Sequence, residues 1–355
     1  MESVPAGTTI TQTGDSIRLL AAAGTIEVVR NSLRPERAEQ LLRFWAGHGA
    51  LGEEEARRRL AEVVCILLDD AGEIAGVNSV FSSAVPIVGG QTFWIYRSFL
   101  PGADPDTAAA MVKAAHGALE AEFEPGGDGP IGLCLLIADR EELERRPEAR
   151  WPDPPFLYAG YLDDGRQVRI GYFKSARIRI PDPLITQDRP EEVGAGYRVE
   201  LLAEHDAVDH RAVLDFWDRE GAMPPEEAAR RVHEVLVATT DAAGLVVGVS
   251  SAYIDRNPQL GMDLWHFRSF VAEAHRASDI ALTQSLMGRD HLRGLFVSGQ
   301  DTRGGGVVYE LENEGLKRRT EAIWPFGLHF AFIGENERGD HVRVYYFPGA
   351  VAPVR

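Results

Sequence analysis

The sequence predicts an α/β protein of the α+β, mixed-sheet kind, built as two domains in tandem. Three observations predict it. The first is a repeated stretch: FWIYRSFL at 93–100 and LWHFRSFV at 264–271 share W-x-[Y/F]-R-S-F-[L/V]. The second is collinearity. Phe44-Trp45 answers to Phe216-Trp217 at an offset of 172, which also pairs Arg58-Arg59 with Arg230-Arg231, Glu62-Val63 with Glu234-Val235, and Gly76-Val77 with Gly248-Val249. The offset is 171 at Trp94 and Trp265, and 174 where VRIGYF (168–173) answers to VRVYYF (342–347). A collinear series with small drifts is the mark of whole-domain duplication, not of a short solenoid repeat. The third is length, since 355 residues suit two domains of about 100–200 residues each. The expected layout is an N-terminal arm (1–24), a first domain (25–178), a Pro- and charge-rich linker (179–196, RIPDPLITQDRPEEVGAG) and a second domain (197–355).

Each half reads in the same order. A short strand (about 25–30; 197–203) precedes two amphipathic helices, PERAEQLLRFWAGHG and EEEARRRLAEV in the first half, DHRAVLDFWDREG and PEEAARRVHEV in the second. Pro224-Pro225 ahead of Glu226-Glu227 suits a helix start, where proline lacks no needed donor and acids favour the first turn. Three β-like runs follow: VVCILLDD, IAGVNSVFSS and TFWIYRSFL, against VLVATTD, LVVGVSSAYI and DLWHFRSFV. A helix (about 105–123; 277–291) then leads to an apolar strand, GLCLLIA against GLFVSG. A second helical stretch, DREELERRPEARW against VVYELENEGLKRR, and a closing strand pair complete each half. The order per half is β-α-α-β-β-β-α-β-α-β-β.

Composition narrows the function. The chain is 45% hydrophobic and 26% charged, which is ordinary for a globular protein. No apolar run approaches the roughly 18–20 residues of a membrane span, and the N-terminus lacks the basic start and apolar stretch of a secretory signal. Cys65 and Cys134 lie inside apolar runs and read as buried thiols rather than a bridge. Cytoplasm is the default location. A net charge of −17 counts against DNA as a partner, because phosphate contacts call for a basic face. Arg57-Arg58-Arg59 and Lys317-Arg318-Arg319 stand close to acids and read as solvated helix faces. Gly304-Gly305-Gly306 lacks the Lys-Ser/Thr of a nucleotide loop. His205, Asp206, Asp209 and His210 lack a third ligand group, so no metal is expected.

The element order, with a helix directly after the fourth strand, resembles the GNAT acyltransferase superfamily over both halves. The resemblance implies that the fourth and fifth strands splay apart. Acetyl-CoA or another acyl-CoA enters the gap, and its pyrophosphate rests on a [Q/R]-x-x-G-x-[G/A] loop at the start of the next helix. Unpaired N–H groups at a helix start attract an anion, and glycine lets the backbone come close. In the second half, Val271 ends the fourth strand, and Arg276, Ala277, Ser278, Asp279, Ile280 and Ala281 stand at this loop. Arg276 and Ala281 match the pattern; Asp279 replaces the first glycine and brings a negative charge. The plainer reading is that Ser278 or Asp279 caps the helix. In the first half, LPGADPDTAAA puts Pro105 at the Arg276 position and Ala108 at the glycine position. Proline offers no N–H, and Asp104 and Asp106 repel a pyrophosphate. The first half is therefore expected to be structural or substrate-shaping.

The resemblance also implies a tyrosine on the last helix that protonates the departing thiolate. Counting back four from Gly315 lands on Leu311, so Tyr309, two residues earlier, is the candidate. An attacking amine needs a proton acceptor near the fourth strand. Asp263 and His266 are the titratable side chains there, on opposite faces by alternation, and His266 replaces Ile95 of the first half. The expected function is transfer of an acyl group from a CoA thioester to the amine of a small molecule, in the second half. Two alternatives stay open. One is a non-catalytic ligand- or partner-binding protein, which a closed, fully paired gap in both halves would favour. The other is an acyltransferase fed by an aminoacyl-tRNA or a carrier-protein thioester, for which one local basic patch would suffice.

Overall fold

A computed structural model describes residues 10–13, 16–21, 24–181, 183, 196–202, 208–276 and 279–355. The first half runs β1 (Ile10–Thr13), β2 (Ser16–Ala21), β3 (Gly24–Val28), α1 (Pro35–Gly47), α2 (Glu53–Arg59), β4 (Val63–Leu68), β5 (Ile74–Val85), β6 (Gln91–Phe99), α3 (Pro105–Ala121), β7 (Gly132–Ile137), α4 (Arg140–Arg145), β8 (Arg150–Pro152), β9 (Pro155–Tyr161) and β10 (Gln167–Tyr172). The second runs β11 (Arg198–Leu201), α5 (His210–Arg219), α6 (Pro225–Arg231), β12 (Val235–Thr240), β13 (Val246–Asn257), β14 (Met262–Val271), α7 (Ile280–Val297), β15 (Gly306–Leu311), α8 (Glu314–Lys317), β16 (Ala331–Glu335) and β17 (His341–Tyr346).

Two mixed sheets result. The strand order is β1-β2-β3-β4-β5-β6-β7-β10-β9-β8 in one and β11-β12-β13-β14-β15-β17-β16 in the other. Among the described residues, all neighbours are antiparallel except β6/β7 and β14/β15. Position in the sheet explains the burial. β4 (VVCILL) is buried at every position, as a central strand covered on both faces must be. α1 and α5 press Trp45 and Trp217 into the cores, so the paired tryptophans are packing residues. Cys65 and Cys134 are buried, free thiols, and burial pushes both up to about 12.

Three expectations need correction. Residues 10–13 and 16–21 of the supposed arm form strands that extend the first sheet. GLFVSG is not a strand: α7 continues through Val297, and the fifth strand of the second half is GVVYEL, residues 306–311. VVYEL is thus extended, not helical, and Tyr309 lies on β15. Most of the supposed linker, 182 and 184–195, lies outside the described residues, as do His205 and Asp206. Asp209 is a helix cap that accepts from Ala212 N at 2.8 Å.

The two halves are joined reciprocally. Ala149 N donates to Ala350 O (2.8 Å) and Ala352 N to Pro147 O (2.8 Å), while Ala322 N donates to Ala176 O (2.9 Å) and Ile178 N to Thr320 O (2.7 Å). Each half therefore lays the segment after its last strand against the segment before the other's final hairpin. Around this joint, Tyr158, Tyr172, Val342, Val344 and Tyr346 belong to one core built from both halves. The fully buried Arg169 stacks on Trp151 and the fully buried Arg343 on Trp324, at 4.0 and 4.8 Å. Burial holds both guanidiniums down to about 10. Gly160 (φ 118°) and Gly334 (φ 136°) sit where a Cβ would run into Gln259 O and Ile87 O of the opposing turns.

Candidate active site

The gap between the fourth and fifth strands is open in both halves. β14 and β15 share two register pairs, Trp265 with Val307 and His266 with Val308; β6 and β7 likewise share Trp94 with Leu133 and Ile95 with Cys134. Beyond these pairs the strands diverge. The second-half cleft, about 560 Å³, is lined by β13, β14 and β15, by Trp217 and Met223, and by Leu316 and Arg338. The first-half cleft, about 1090 Å³, reaches from Phe81 and Arg97 past Leu135 and Leu136 to Asp104, Pro105 and Ala108 at the start of α3.

His266 lines the second cleft and is buried. Its Nδ1 lies 3.6 Å from Glu310 Oε1, and its ring leans on Tyr253 with centroids 5.1 Å apart. Nε2 has no hydrogen-bond partner. Burial lowers the imidazole's pKa below its ordinary value and outweighs the opposing pull of Glu310. The ring is thus neutral at neutral pH, the state a proton acceptor requires. Glu310 is held in turn by Arg338 (3.1 Å) and Asn336 (3.2 Å). Glu310 is the residue the sequence reading missed. With GVVYEL taken as a strand, its offset of 174 from GLCLLI would have set Glu310 against Leu136, beside His266.

Asp263 does not join His266. It is exposed at the far end of β14 and faces Arg256, whose Nη1 lies 3.6 Å away. Tyr309 faces α7: its hydroxyl is 2.6 Å from Ser285 Oγ, and Ser285 donates to Ala281 O at 2.6 Å, so the phenol proton points to Ser285. Phe267, Trp324 and Phe330 pack round the ring, and burial pushes the phenol's pKa up. This cluster packs β15 against α7, and among the described residues α7 contributes none of the cleft lining.

Arg268 and Arg97 make corresponding internal contacts. Arg268 pairs with Glu234 (3.2 Å) over the Tyr253 ring, and Arg97 pairs with Glu62 over Phe81. At the helix start, Val271 is buried against Ile280, and its carbonyl accepts from Arg276 Nε at 3.1 Å. Ala277 and Ser278 lie outside the described residues. Asp279 takes the N-cap position in the left-handed region (φ 52°), and its side chain makes no capping bond to the helix. Ile280 is buried and Ala281 exposed.

Buried positions Thr107, Met111, Ala115, His116 and Leu119 of α3 match Ile280, Gln284, Gly288, Arg289 and Leu292 of α7 at a constant offset of 173. By that count Asp279 corresponds to Asp106, and Arg276 to Ala103, which corrects the pairings with Ala108 and Pro105.

No family model matches this chain, and no curated protein matches it. Solved structures of similar fold include a ribosomal-protein-S5-alanine acetyltransferase from Vibrio fischeri, 14% identical over 46% of this chain and 99% of its own (TM-score 0.31). YncA, a putative acetyltransferase from Salmonella typhimurium solved with acetyl-CoA, is 13% identical over 45% and 98% (TM-score 0.28). A GCN5-related N-acetyltransferase from Sphaerobacter thermophilus is 15% identical over 73% and 80% (TM-score 0.22). The fold itself stands on the strand order and on the splayed parallel pair, which are GNAT-like in each half. Among the described residues no metal-binding cluster and no helix long and apolar enough to cross a membrane occur.

Proposed function

We propose that the chain is an N-acyltransferase that moves an acyl group from a CoA thioester to the amine of a small molecule, with its chemistry in the second half. One observation carries this reading: at the fork of the splay, the second half has His266 and Glu310 where the first has Ile95 and Leu136. An aliphatic pair only packs, whereas a buried, neutral imidazole beside a carboxylate accepts a proton.

In this reading the amine is held in the cleft, and His266 takes its proton as the nitrogen attacks the thioester carbonyl. Glu310 stabilises the imidazolium that forms. The tetrahedral centre collapses with loss of thiolate, which takes a proton from solvent or from His266. Positioning supplies much of the acceleration in a direct attack, so a dedicated tyrosine acid is not required. Tyr309 is assigned to packing β15 against α7. The donor's anionic end is assigned to the 276–281 segment and Val271, at the first N–H groups of α7. Asp263 is given no part.

The open gap in both halves argues against a protein that merely keeps the fold. Calorimetry with CoA and acetyl-CoA on the folded full-length chain tests the proposal. Saturable binding that His266→Ala keeps, with turnover lost, supports it; no binding of either molecule sinks it.

A further inference from the structure

We propose that a cavity of about 920 Å³ between α3 and the second half binds a small organic cation, an amine or guanidine on an apolar body, whose charge takes the place that Arg289 fills in the second half. The cavity lies outside both splayed clefts. Part of its lining is small or apolar: Ala114, Gly117, Ala118 and Ala121 of α3, with Pro154 and Pro325.

Two buried acceptors in its lining lack partners among the described residues. His116 Nε2 is one, on a side chain 5% exposed, and Glu321 Oε2 is the other. Burial keeps the imidazole neutral, so one of its two ring nitrogens offers a lone pair. Buried acceptors without donors are costly, and a ligand bearing N–H groups removes that cost.

The second half shows what fits there. Arg289, 173 residues after His116, donates from Nη1 to Gly327 O and to Leu328 O (2.6 Å) and lies 4.7 Å from the Tyr345 ring centre. Its loop from Trp324 to Phe330 is one residue longer than the one from Trp151 to Phe156. The first half has the shorter loop and a smaller side chain, with the Phe173 and Phe156 rings 5.3 and 6.0 Å from His116. The second half supplies its own cation, and the first leaves room for one. The charges of the lining balance: Lys113, Lys174 and Arg177 against Glu120, Asp153 and Glu321. Lys113 is bound to Asp153, and Arg177 donates to Thr320 Oγ1 at 3.1 Å.

The inference does not rest on the acyltransferase reading, and its test uses no acyl donor. Full-length protein is titrated with phenylguanidine and 2-phenylethylamine, with 2-phenylethanol and 3-phenylpropanoate as controls, by calorimetry and thermal shift. The cations are expected to bind at least tenfold tighter than the alcohol or the acid. Ala118→Trp, which fills the cavity from a half-buried helix face, and His116→Phe, which keeps the aromatic packing, each abolish that preference; His266→Ala retains it. Equal binding of all four probes, binding of none, or loss in His266→Ala with retention in Ala118→Trp overturns the proposal.

Discussion

The two splayed gaps of this molecule share a backbone and differ in what fills it. Both open after two register pairs, and both keep an Arg-Glu pair beside an aromatic ring on the neighbouring strand. One fork holds Ile95 and Leu136, the other His266 and Glu310. The first-half cleft is the larger and reaches its helix start, but that start is closed by Asp104, which accepts from Asp106 N and Thr107 N at 2.9 Å each. The second is narrower and carries the titratable pair. In the proposed reaction the chemistry follows these two side chains, so the larger cavity is the poorer guide to it.

The most damaging test of this contrast is at the fork. His266→Ala is expected to lower kcat about 10²–10⁴-fold, the range of a lost general base, while Ile95→Ala leaves kcat unchanged. Equal losses from both, in an acyl-transfer assay on folded protein, break the contrast. The acid limb of the rate should lie below 6.5, because burial depresses the imidazole. Glu310 opposes that depression, so Glu310→Gln should move the limb still lower; a limb that stays put removes Glu310 from the site.

The joint supplies the next contrast. Deleting 349–355 removes the acceptor and donor groups of Ala350, Ala352 and Pro353 that pair with Ala149, Pro147 and the Tyr161 hydroxyl. At about 1 kcal/mol per bond these three alone make the loss at least about 3 kcal/mol, read from the urea midpoint. An unchanged midpoint would mean that the reciprocal pairing contributes nothing.

Within the final hairpins, His341 stands where the first half has Gln167, both buried. Burial, with Arg343 and Lys317 nearby, holds His341 down to about 4, against an ordinary 6.5. The folded state then binds fewer protons than the unfolded one between these values. Stability is therefore full above pH 6.5 and drains as pH falls toward 4. His341→Gln should leave stability at pH 8 unchanged and raise it at pH 4 by roughly 2–3 kcal/mol. The same gain at both pH values would show a packing effect and not a titration.

The sequence carried the architecture because two halves with the same element order could each be read against the other. The two helix pairs, the three antiparallel strands and the fourth-strand motif are all found where the offsets put them. It failed at 294–311. GLFV continues a helix whose buried stripe ends in Leu292, and YELENE contains good helix formers that pairing with β17 overrides. Matching GLFVSG to GLCLLI by its first two residues hid the better match of GVVYEL, and with it Glu310. Asp263 failed for another reason: strand alternation gives the face but not how far along the strand the gap opens. The partnerless Nε2 of His266 and the packing role of Tyr309 depend on contacts across 24 to 44 residues of chain, which no local pattern records.

The smallest expected effect concerns the helix starts. Asp104 has an extended backbone and spends its carboxylate on two N–H groups and on Thr107 Oγ1, which holds that carboxylate below its usual range. Asp104→Ala should therefore lower the melting temperature by a few degrees. Asp279 has φ 52° and makes no capping bond to the helix, so Asp279→Gly should relieve a left-handed aspartate without loss of a cap. It also takes a negative charge from the start of α7, where a donor's phosphates are assigned, and CoA should bind more tightly to this variant. Titration of both variants with CoA separates the two starts. Tighter binding confined to Asp279→Gly supports an anion site on α7. If Asp104→Ala gains CoA affinity instead, the donor belongs in the larger first-half cleft, and the roles assigned to the halves must be exchanged.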